Sequence, residues 1–398
     1  MRCVHTSIAV LAVVEGEREA DSCFRGSGTF ALAPRSRLAC REGTVLQAYL
    51  QAIGTAVPDH DIHQAFIDWA RARIDSGAAK LFNRMAGRAG IQHRWSVLPR
   101  GHNGGSPVMS GGFYAIDPLP GTHQRMEIYA EAAPTLAMAA IDALAAKLPL
   151  HGVTHLVVAS CTGFVAPGID QIIAARLGLA ATVERLLVGF MGCYAAVVAL
   201  RSARHIVRSD PAARVLVVTV ELSTLHLQDT AEIEPLLAML QFGDGAAAAL
   251  VTGEPGGFAL GRPFAATLPD SRGLIRWAIT DQGFAMHLSG EVPGRIGAAL
   301  ADPAFVAALG IGDPTGVDGW AVHAGGRSIL DAVEQALALP GDALAASRNV
   351  LGAYGNMSSA TLMFVLAALL ARPHVDNGVA LAFGPGLAAE GLSFRSAA

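Results

Sequence analysis

One arrangement of residues occurs twice in this chain and limits what it can fold into. In the first copy, 155–160 (His-Leu-Val-Val-Ala-Ser) reads as a strand ending at Cys161, with a helix over 169–177. A second strand, 185–188, enters the turn Gly189-Phe190-Met191-Gly192-Cys193, and a helical pattern follows over 195–207. In the second copy, the strand 319–322 ends at His323 and leads to a helix over 329–339. The stretch Val350-Leu351-Gly352-Ala353-Tyr354-Gly355-Asn356 then repeats the strand-and-turn layout ahead of an apolar helix over 361–371, and Asn356 stands where Cys193 stands. Two elements repeated in the same order predict a duplicated α/β fold whose halves share one core. A pseudo-twofold relation between the halves brings the two buried helix starts together, and with them Cys193, His323 and Asn356.

Those residue types suit one chemistry. At the first turn of a buried helix, unpaired N–H groups and the positive dipole end favour a thiolate over a thiol. A small apolar residue packed in a core is the alternative reading of such a cysteine. With an imidazole to move protons and an amide to donate to a developing oxyanion, the thiolate reading describes a site that attacks thioesters. Cys161 also ends a strand, but Pro167 and Gly168 separate it from the next helix start, which makes Cys193 the nucleophile of choice.

Six segments in order resemble the type III polyketide synthases (chalcone synthase-like), within the thiolase-fold condensing enzymes. They are the Gly192-Cys193 turn, Phe242-Gly243-Asp244-Gly245-Ala246, 287–294, the segment around His323, Tyr354-Gly355-Asn356-Met357-Ser358-Ser359-Ala360, and Phe383-Gly384-Pro385-Gly386. The resemblance runs from about Tyr49 to the C-terminus. It implies an αβαβα layered arrangement of duplicated βαβαβ halves, 45–255 carrying the cysteine and 256–398 carrying His323 and Asn356, after an extension over 1–44. It also implies a homodimer acting on an acyl-CoA starter and malonyl-CoA, with no cofactor beyond coenzyme A thioesters. Cys193 would carry the acyl chain while His323 and Asn356 hydrogen-bond the malonyl thioester and stabilise the enolate left by decarboxylation. Arg84 and Arg88 match basic residues that hold CoA phosphates. Leu81 replaces a third such residue, with Lys80 beside it on the same helix face. Phe242 matches a gatekeeper between CoA tunnel and cavity, where an apolar ring disfavours the charged carboxylate relative to CO2. The second gatekeeper position holds Met286, and Trp277 stands where the family commonly has glycine. Ser358 and Cys161 match cavity-lining positions, and Gly384, Pro385 and Gly386 match a turn under the site. An adaptable Met286 suits a medium- or long-chain fatty acyl starter and an alkylpyrone- or alkylresorcinol-type product. Aromatic and malonyl starters stay open at this point. The rival readings are a single-condensation β-ketoacyl-carrier-protein synthase III-like enzyme and a non-catalytic acyl-CoA-binding protein.

Composition narrows the remaining classes. Hydrophobic residues make up 52% of the 398 positions and charged residues 16%, as a large interior requires. A net charge of −4, scattered basic residues and 6% aromatics give no footing for nucleic acid. Five cysteines, three of them before residue 45, do not form a disulfide framework and fit a reducing cytoplasm. The short apolar run at 7–14 precedes an acidic stretch without a cleavage site, so export is not expected. The apolar stretch 361–371 falls short of the roughly 20 residues a membrane span needs. The pairs His60/His63 and His151/His155 lack a third ligand nearby, and no metal is expected.

Overall fold

The computed structural model describes residues 46–101 and 104–397. The expected N-terminal extension, 1–44, with its three cysteines and the apolar run 7–14, lies outside the described residues. The strands in the first half are β1 (Ala48–Ala56), β2 (His60–Asp61), β3 (Trp95–Ser96), β4 (His155–Ser160), β5 (Glu184–Gly189), β6 (Val215–Leu222) and β7 (Asp244–Thr252). The second half adds β8 (Phe258–Thr267), β9 (Ile275–Thr280), β10 (Gly283–Leu288), β11 (Gly319–Val322), β12 (Gly378–Gly384) and β13 (Ala388–Ser396). Nine of them form one mixed sheet in the order β11-β12-β13-β8-β1-β7-β6-β4-β5. The duplication is visible in the pairing. In one half β4 runs parallel to β6, and β6 is antiparallel to β7 and β7 to β1. In the other, β11 runs parallel to β12, then β12 is antiparallel to β13 and β13 to β8.

Side-chain alternation along these strands sorts the helices into layers, because successive residues point to opposite faces. Val215 and Val217 of β6 and Ala380 and Ala382 of β12 face one shared core with α5 (Ala195–Ser209) and α11 (Ser359–Leu370). Leu216, Val218 and Val220 face the other way, against α3 (Thr122–Ala145) and α4 (Ile169–Arg176). Val379, Leu381 and Phe383 face α7 (Val292–Leu300) and α9 (Arg327–Ala336). Helices therefore lie outside and between the sheet faces, an αβαβα arrangement. Apolar residues surround the whole circumference of α11, as a central helix requires. Its Leu362, Met363 and Leu366 are almost entirely buried, each contributing about 1.5–3 kcal/mol of transfer free energy.

Several elements differ from the sequence reading. The stretch before Asn356 is not a strand but α10 (Ala345–Tyr354), so the second half has no counterpart of β5. Ala and Arg early in this segment extend a helical pattern that the echo with 185–188 obscured. The helical pattern over 293–309 is broken into α7 and α8 (Pro303–Leu309), which meet at 86° where Asp302 caps a proline-led turn. α3 begins at Thr122, ahead of the Ala-rich pattern over 130–148, and carries Pro134 within it. By length and composition it could cross a membrane, but Tyr129, Ala133, Ala137, Ala140 and Leu144 are buried on the sheet. Its contact with β1 is so close that a Cβ at Gly54 would lie 2.2 Å from the Leu144 nitrogen.

Candidate active site

Cys193 sits where β5 gives way to α5. Phe190 (φ 55°) and Gly192 (φ 74°) adopt left-handed backbone, which folds the chain into a tight 3-10 turn over Gly192–Tyr194. Only glycine fits at 192, since a Cβ there would lie 2.4 Å from Pro385 Cδ. That proline belongs to the Gly384-Pro385-Gly386 turn after β12. A Cβ on Gly384 would approach the Tyr194 ring to 2.7 Å and the Cys193 nitrogen to 3.4 Å. Tyr194 Oη donates to the Pro385 carbonyl at 3.4 Å. The second half thus packs its turn directly beneath the cysteine of the first.

Asn356 enters from the other side. Its backbone forms a β-bridge with Phe242. Asn356 N donates to the Gln241 carbonyl at 2.8 Å, and Gly243 N donates to the Asn356 carbonyl at 3.0 Å. The side-chain Nδ2 donates to the Gly325 carbonyl (3.2 Å), and Oδ1 accepts from Ser358 N (2.8 Å). Ser358 itself is held at φ 47°, in a region that a non-glycine residue seldom occupies. Its hydroxyl lies 3.3 Å from the Cys161 sulfur. Side chains of both Ser358 and Asn356 lie close enough to Cys193 to favour its ionised form.

His323 follows β11, two residues ahead of Gly325, with its backbone N–H on the Leu381 carbonyl at 2.8 Å. The ring is 2% exposed, and both nitrogens lack a hydrogen-bond partner among the described residues. Asn356, which adjoins Cys193, is thus tied through the Gly325 carbonyl to the segment that carries the His323 ring, and no hydrogen bond runs from Cys193 to His323 among the described residues. The expectation of a lowered thiol pKa is corrected here. Burial pushes the Cys193 thiol up to about 12, Ser358 and Asn356 oppose this, and the Glu221 charge adds to it. Burial also lowers His323 to about 3. In the free site both groups are neutral, because removal from water outweighs the pull of a helix start.

Glu221 was missed in the sequence, although one carboxylate in the apolar run 215–222 was a signal. It is fully buried and accepts from Cys161 N (3.0 Å), Cys161 Sγ (3.1 Å), Thr162 Oγ1 (2.9 Å) and the Ser359 hydroxyl. Burial, and then the adjoining Glu221 charge, raise the Cys161 thiol pKa. His226 was missed as well. Its Nε2 donates to the Thr162 carbonyl (2.7 Å) and its Nδ1 accepts from Phe284 N (3.1 Å), an assignment of tautomer that the fixed backbone groups dictate. The ring stacks on Phe284 with centroids 4.2 Å apart, and burial lowers its pKa to about 3.

Phe242, Trp277 and Met286 line one cavity with His226 and Phe284. Met286 pairs with Trp277 across the β9–β10 hairpin, and the Trp277 ring meets Phe242 edge-on at 6.1 Å. The three basic residues are exposed on α2 (Ser76–Arg88), a helix capped by Asp75. Of these, Arg88 borders a separate cleft with Leu237, Leu240, Gln241 and Arg327, whereas Lys80 and Arg84 do not. Arg327 escaped the sequence reading because a lone arginine after Gly325-Gly326 looks like an ordinary surface residue. The histidine pairs have local partners: His63 accepts from Arg94 Nε at 3.0 Å, and His155 lies 3.6 Å from Glu184. No group of three residues suited to a metal occurs among the described residues.

A duplicated α/β fold with a thiol, an imidazole and a carboxamide at its seam defines a condensing enzyme of the thiolase fold. Residues 35–255 match the N-terminal domain of chalcone and stilbene synthases, and residues 263–398 match the C-terminal domain. The chain is 33% identical over 308 residues to the alpha-pyrone synthesis polyketide synthase-like Pks18 of Mycobacterium tuberculosis (strain CDC 1551 / Oshkosh), covering 70% of this chain and 78% of that one. PKS-I from the brown alga Ectocarpus siliculosus superposes with a TM-score of 0.78 at 28% identity, over 89% of this chain and 100% of that one. The C-terminal type III polyketide synthase domain of Steely1, a type I/III hybrid from Dictyostelium, gives 0.78 at 27%, over 88% and 100%. The chain belongs to the type III polyketide synthases, and is an acyltransferase.

Proposed function

We propose that Cys193 is the nucleophile of an iterative synthase that extends a fatty acyl starter with malonyl-CoA and cyclises the product to an alkylpyrone or alkylresorcinol. The observation that carries this reading is the seam itself, where Cys193 adjoins Asn356, and Asn356 bonds the Gly325 carbonyl two residues beyond a buried His323 whose two nitrogens are unpaired among the described residues. In loading, the Cys193 sulfur bonds to the starter carbonyl carbon and the bond to the CoA sulfur breaks. The thiol proton passes to His323 and from there to the departing CoA thiolate. His323 then returns to the neutral form that its buried site favours. Neutral imidazole donates one N–H to the malonyl thioester oxygen, and Asn356 donates the N–H not engaged by Gly325. As the malonyl C–C bond breaks and CO2 leaves, its electron pair forms the enolate that these donors stabilise, worth about 3–4 kcal/mol per preorganised donor in other acyl-transfer sites. The enolate carbon attacks acyl-Cys193, the Cys193 sulfur leaves, and the extended chain returns to it with release of CoA. No cofactor takes part in this scheme.

The apolar lining around Phe242, Met286 and Trp277 supports a fatty acyl starter, as does likeness to an alpha-pyrone synthesis relative. Arg88 and Arg327 are proposed to hold CoA phosphates at the cleft, with Arg84 and Lys80 contributing from the same helix. Cys161, Ser358 and the 384–386 turn shape the cavity wall and floor. A homodimer in the cytoplasm completes the proposal. Support for the dimer comes from Leu186 and Leu187, 43% and 46% exposed on the unpaired edge of β5, beside exposed Phe164 and Phe190. The test is incubation with a panel of acyl-CoAs and malonyl-CoA without any carrier protein, followed by mass spectrometry of products and acylated enzyme. Multiple extensions are expected. Cys193→Ala should abolish them while Cys161→Ala only alters the products, and the reverse outcome would refute the assignment.

A further inference from the structure

The cavity beside Phe242 contains polar groups that no part of the protein satisfies. Arg94 Nη2, Ser106 Oγ, Ser223 Oγ and Trp277 Nε1 are all buried without a hydrogen-bond partner among the described residues, and all four residues line this one cavity. Arg94 is 2% exposed, and the two serines 7% each. An unpaired buried donor or acceptor costs about 1–3 kcal/mol, so four around one space demand an explanation. The two donor-only groups, on Arg94 and Trp277, are not free to turn away at little cost. Arg94 is pinned by Nε to His63 (3.0 Å) and by Nη1 to the carbonyls of Met239 (3.0 Å) and Phe242 (2.8 Å), which leaves Nη2 fixed. The Trp277 ring is held by its cross-strand neighbour Met286 and by the edge of Phe242.

A guanidinium and an indole N–H can only donate, while hydroxyls can do either. The complementary ligand is therefore rich in acceptors. A plain alkyl chain would leave all four groups as they are. We propose that this cavity holds the oxygenated part of the growing chain, its 1,3-dicarbonyl oxygens accepting from Arg94, Ser106, Ser223 and Trp277, with the alkyl end against Ile62, Phe66 and Leu98. This rests on the polyketide-forming reading above and adds to it which segment of the intermediate the cavity reads.

The test is equilibrium binding to the full-length enzyme of two probes with equal alkyl chains, a 4-hydroxy-6-alkyl-2-pyrone and an alkylbenzene. Ser106→Ala, Ser223→Ala and Trp277→Phe each delete one hydrogen-bonding group while keeping most of the packing, and Arg94 is left intact because it supports two carbonyls. Each variant should weaken the pyrone by about fivefold, the value of one ordinary hydrogen bond, and leave alkylbenzene binding unchanged. Under turnover the same variants should release a larger share of chains one extension early. If pyrone and alkylbenzene respond alike, or if neither binds the wild-type enzyme, the proposal is overturned. Should the wild-type enzyme fail to extend any acyl-CoA, the polyketide-forming reading itself fails, and the binding assay reports that case separately.

Discussion

Glu221 offers the sharpest test of the electrostatics around Cys193. Its carboxylate reaches the Cys161 sulfur at 3.1 Å, and that sulfur lies 3.3 Å from the Ser358 hydroxyl that also borders Cys193. Successive contacts of this kind put the two charges on the order of 8 Å apart, and at an effective dielectric of about 20 such a pair couples by about 2 kcal/mol. At fixed pH this suppresses the Cys193 thiolate about thirtyfold. Glu221→Gln removes the charge and keeps the shape. The Gln carbonyl can accept from Cys161 N and Thr162, while its NH2 faces a thiol and a hydroxyl that can turn to accept. Rates of iodoacetamide labelling, followed by mass spectrometry on the peptide bearing Cys193, should rise by tenfold or more in Glu221→Gln at mildly alkaline pH. Burial raises the Glu221 pKa, so the wild-type carboxylate takes up its proton as pH falls and the two proteins should converge there. Equal or slower labelling of the variant at alkaline pH refutes the reasoning.

Two further predictions follow from named contacts. Arg88→Ala and Arg327→Ala should each raise KM for CoA esters severalfold without changing turnover of the matching N-acetylcysteamine thioesters, which lack the phosphates; equal effects on both donor types would remove these residues from phosphate binding. Asp244 is fully buried, and burial raises it to about 7 despite hydrogen bonds from Thr224 and Val97. Across the window from about 4 to about 7 the unfolded chain has released a proton that the folded protein keeps, so this group makes stability fall as pH rises, by about 1.4 kcal/mol per pH unit. Asp244→Asn should therefore be less stable than wild type by a margin that shrinks with rising pH in that window. Paired chemical-denaturation curves measure the margin, and a pH-independent value counts against the raised pKa.

How far the sequence could be read depended on whether local pattern and tertiary role agreed. Apolar runs such as 215–220 declare their strands because both faces of the sheet are covered, whereas the turn glycines 192 and 384 declare only turns, and their close approach emerges when the two halves meet. The stretch 345–354 misled because a repeat suggests equal secondary structure, whereas the second half builds its approach to Asn356 from a helix. β13, a nine-residue strand joining β12 to β8, went unread because its small and polar residues carry no period-2 apolar signal. The direction of the thiol pKa was misjudged for a different reason. A helix start is visible in sequence, but the completeness of burial and the nearby Glu221 emerge only when three distant segments fold together.

The way those segments meet separates what the fold must keep constant from what it can vary. Phe242 and Asn356 are joined through backbone atoms, and Gly192, Pro385 and Gly384 meet through backbone and ring contacts that tolerate no added carbon. The positions of the sulfur and the carboxamide are thus set by main chain from both halves, and hardly depend on the side chains that line the cavity. Trp277 and Met286 belong instead to a separate two-stranded hairpin, and His226 to a short 3-10 turn, each of which touches the cavity through its side chain. Substitution at 277 or 286 changes the shape and hydrogen-bonding character of the cavity without moving a backbone bridge, whereas His226 also ties the Thr162 carbonyl to the Phe284 N–H. This division gives a physical reason why chain length and product should respond to mutation at 277 and 286 while the geometry at 193 and 356 persists.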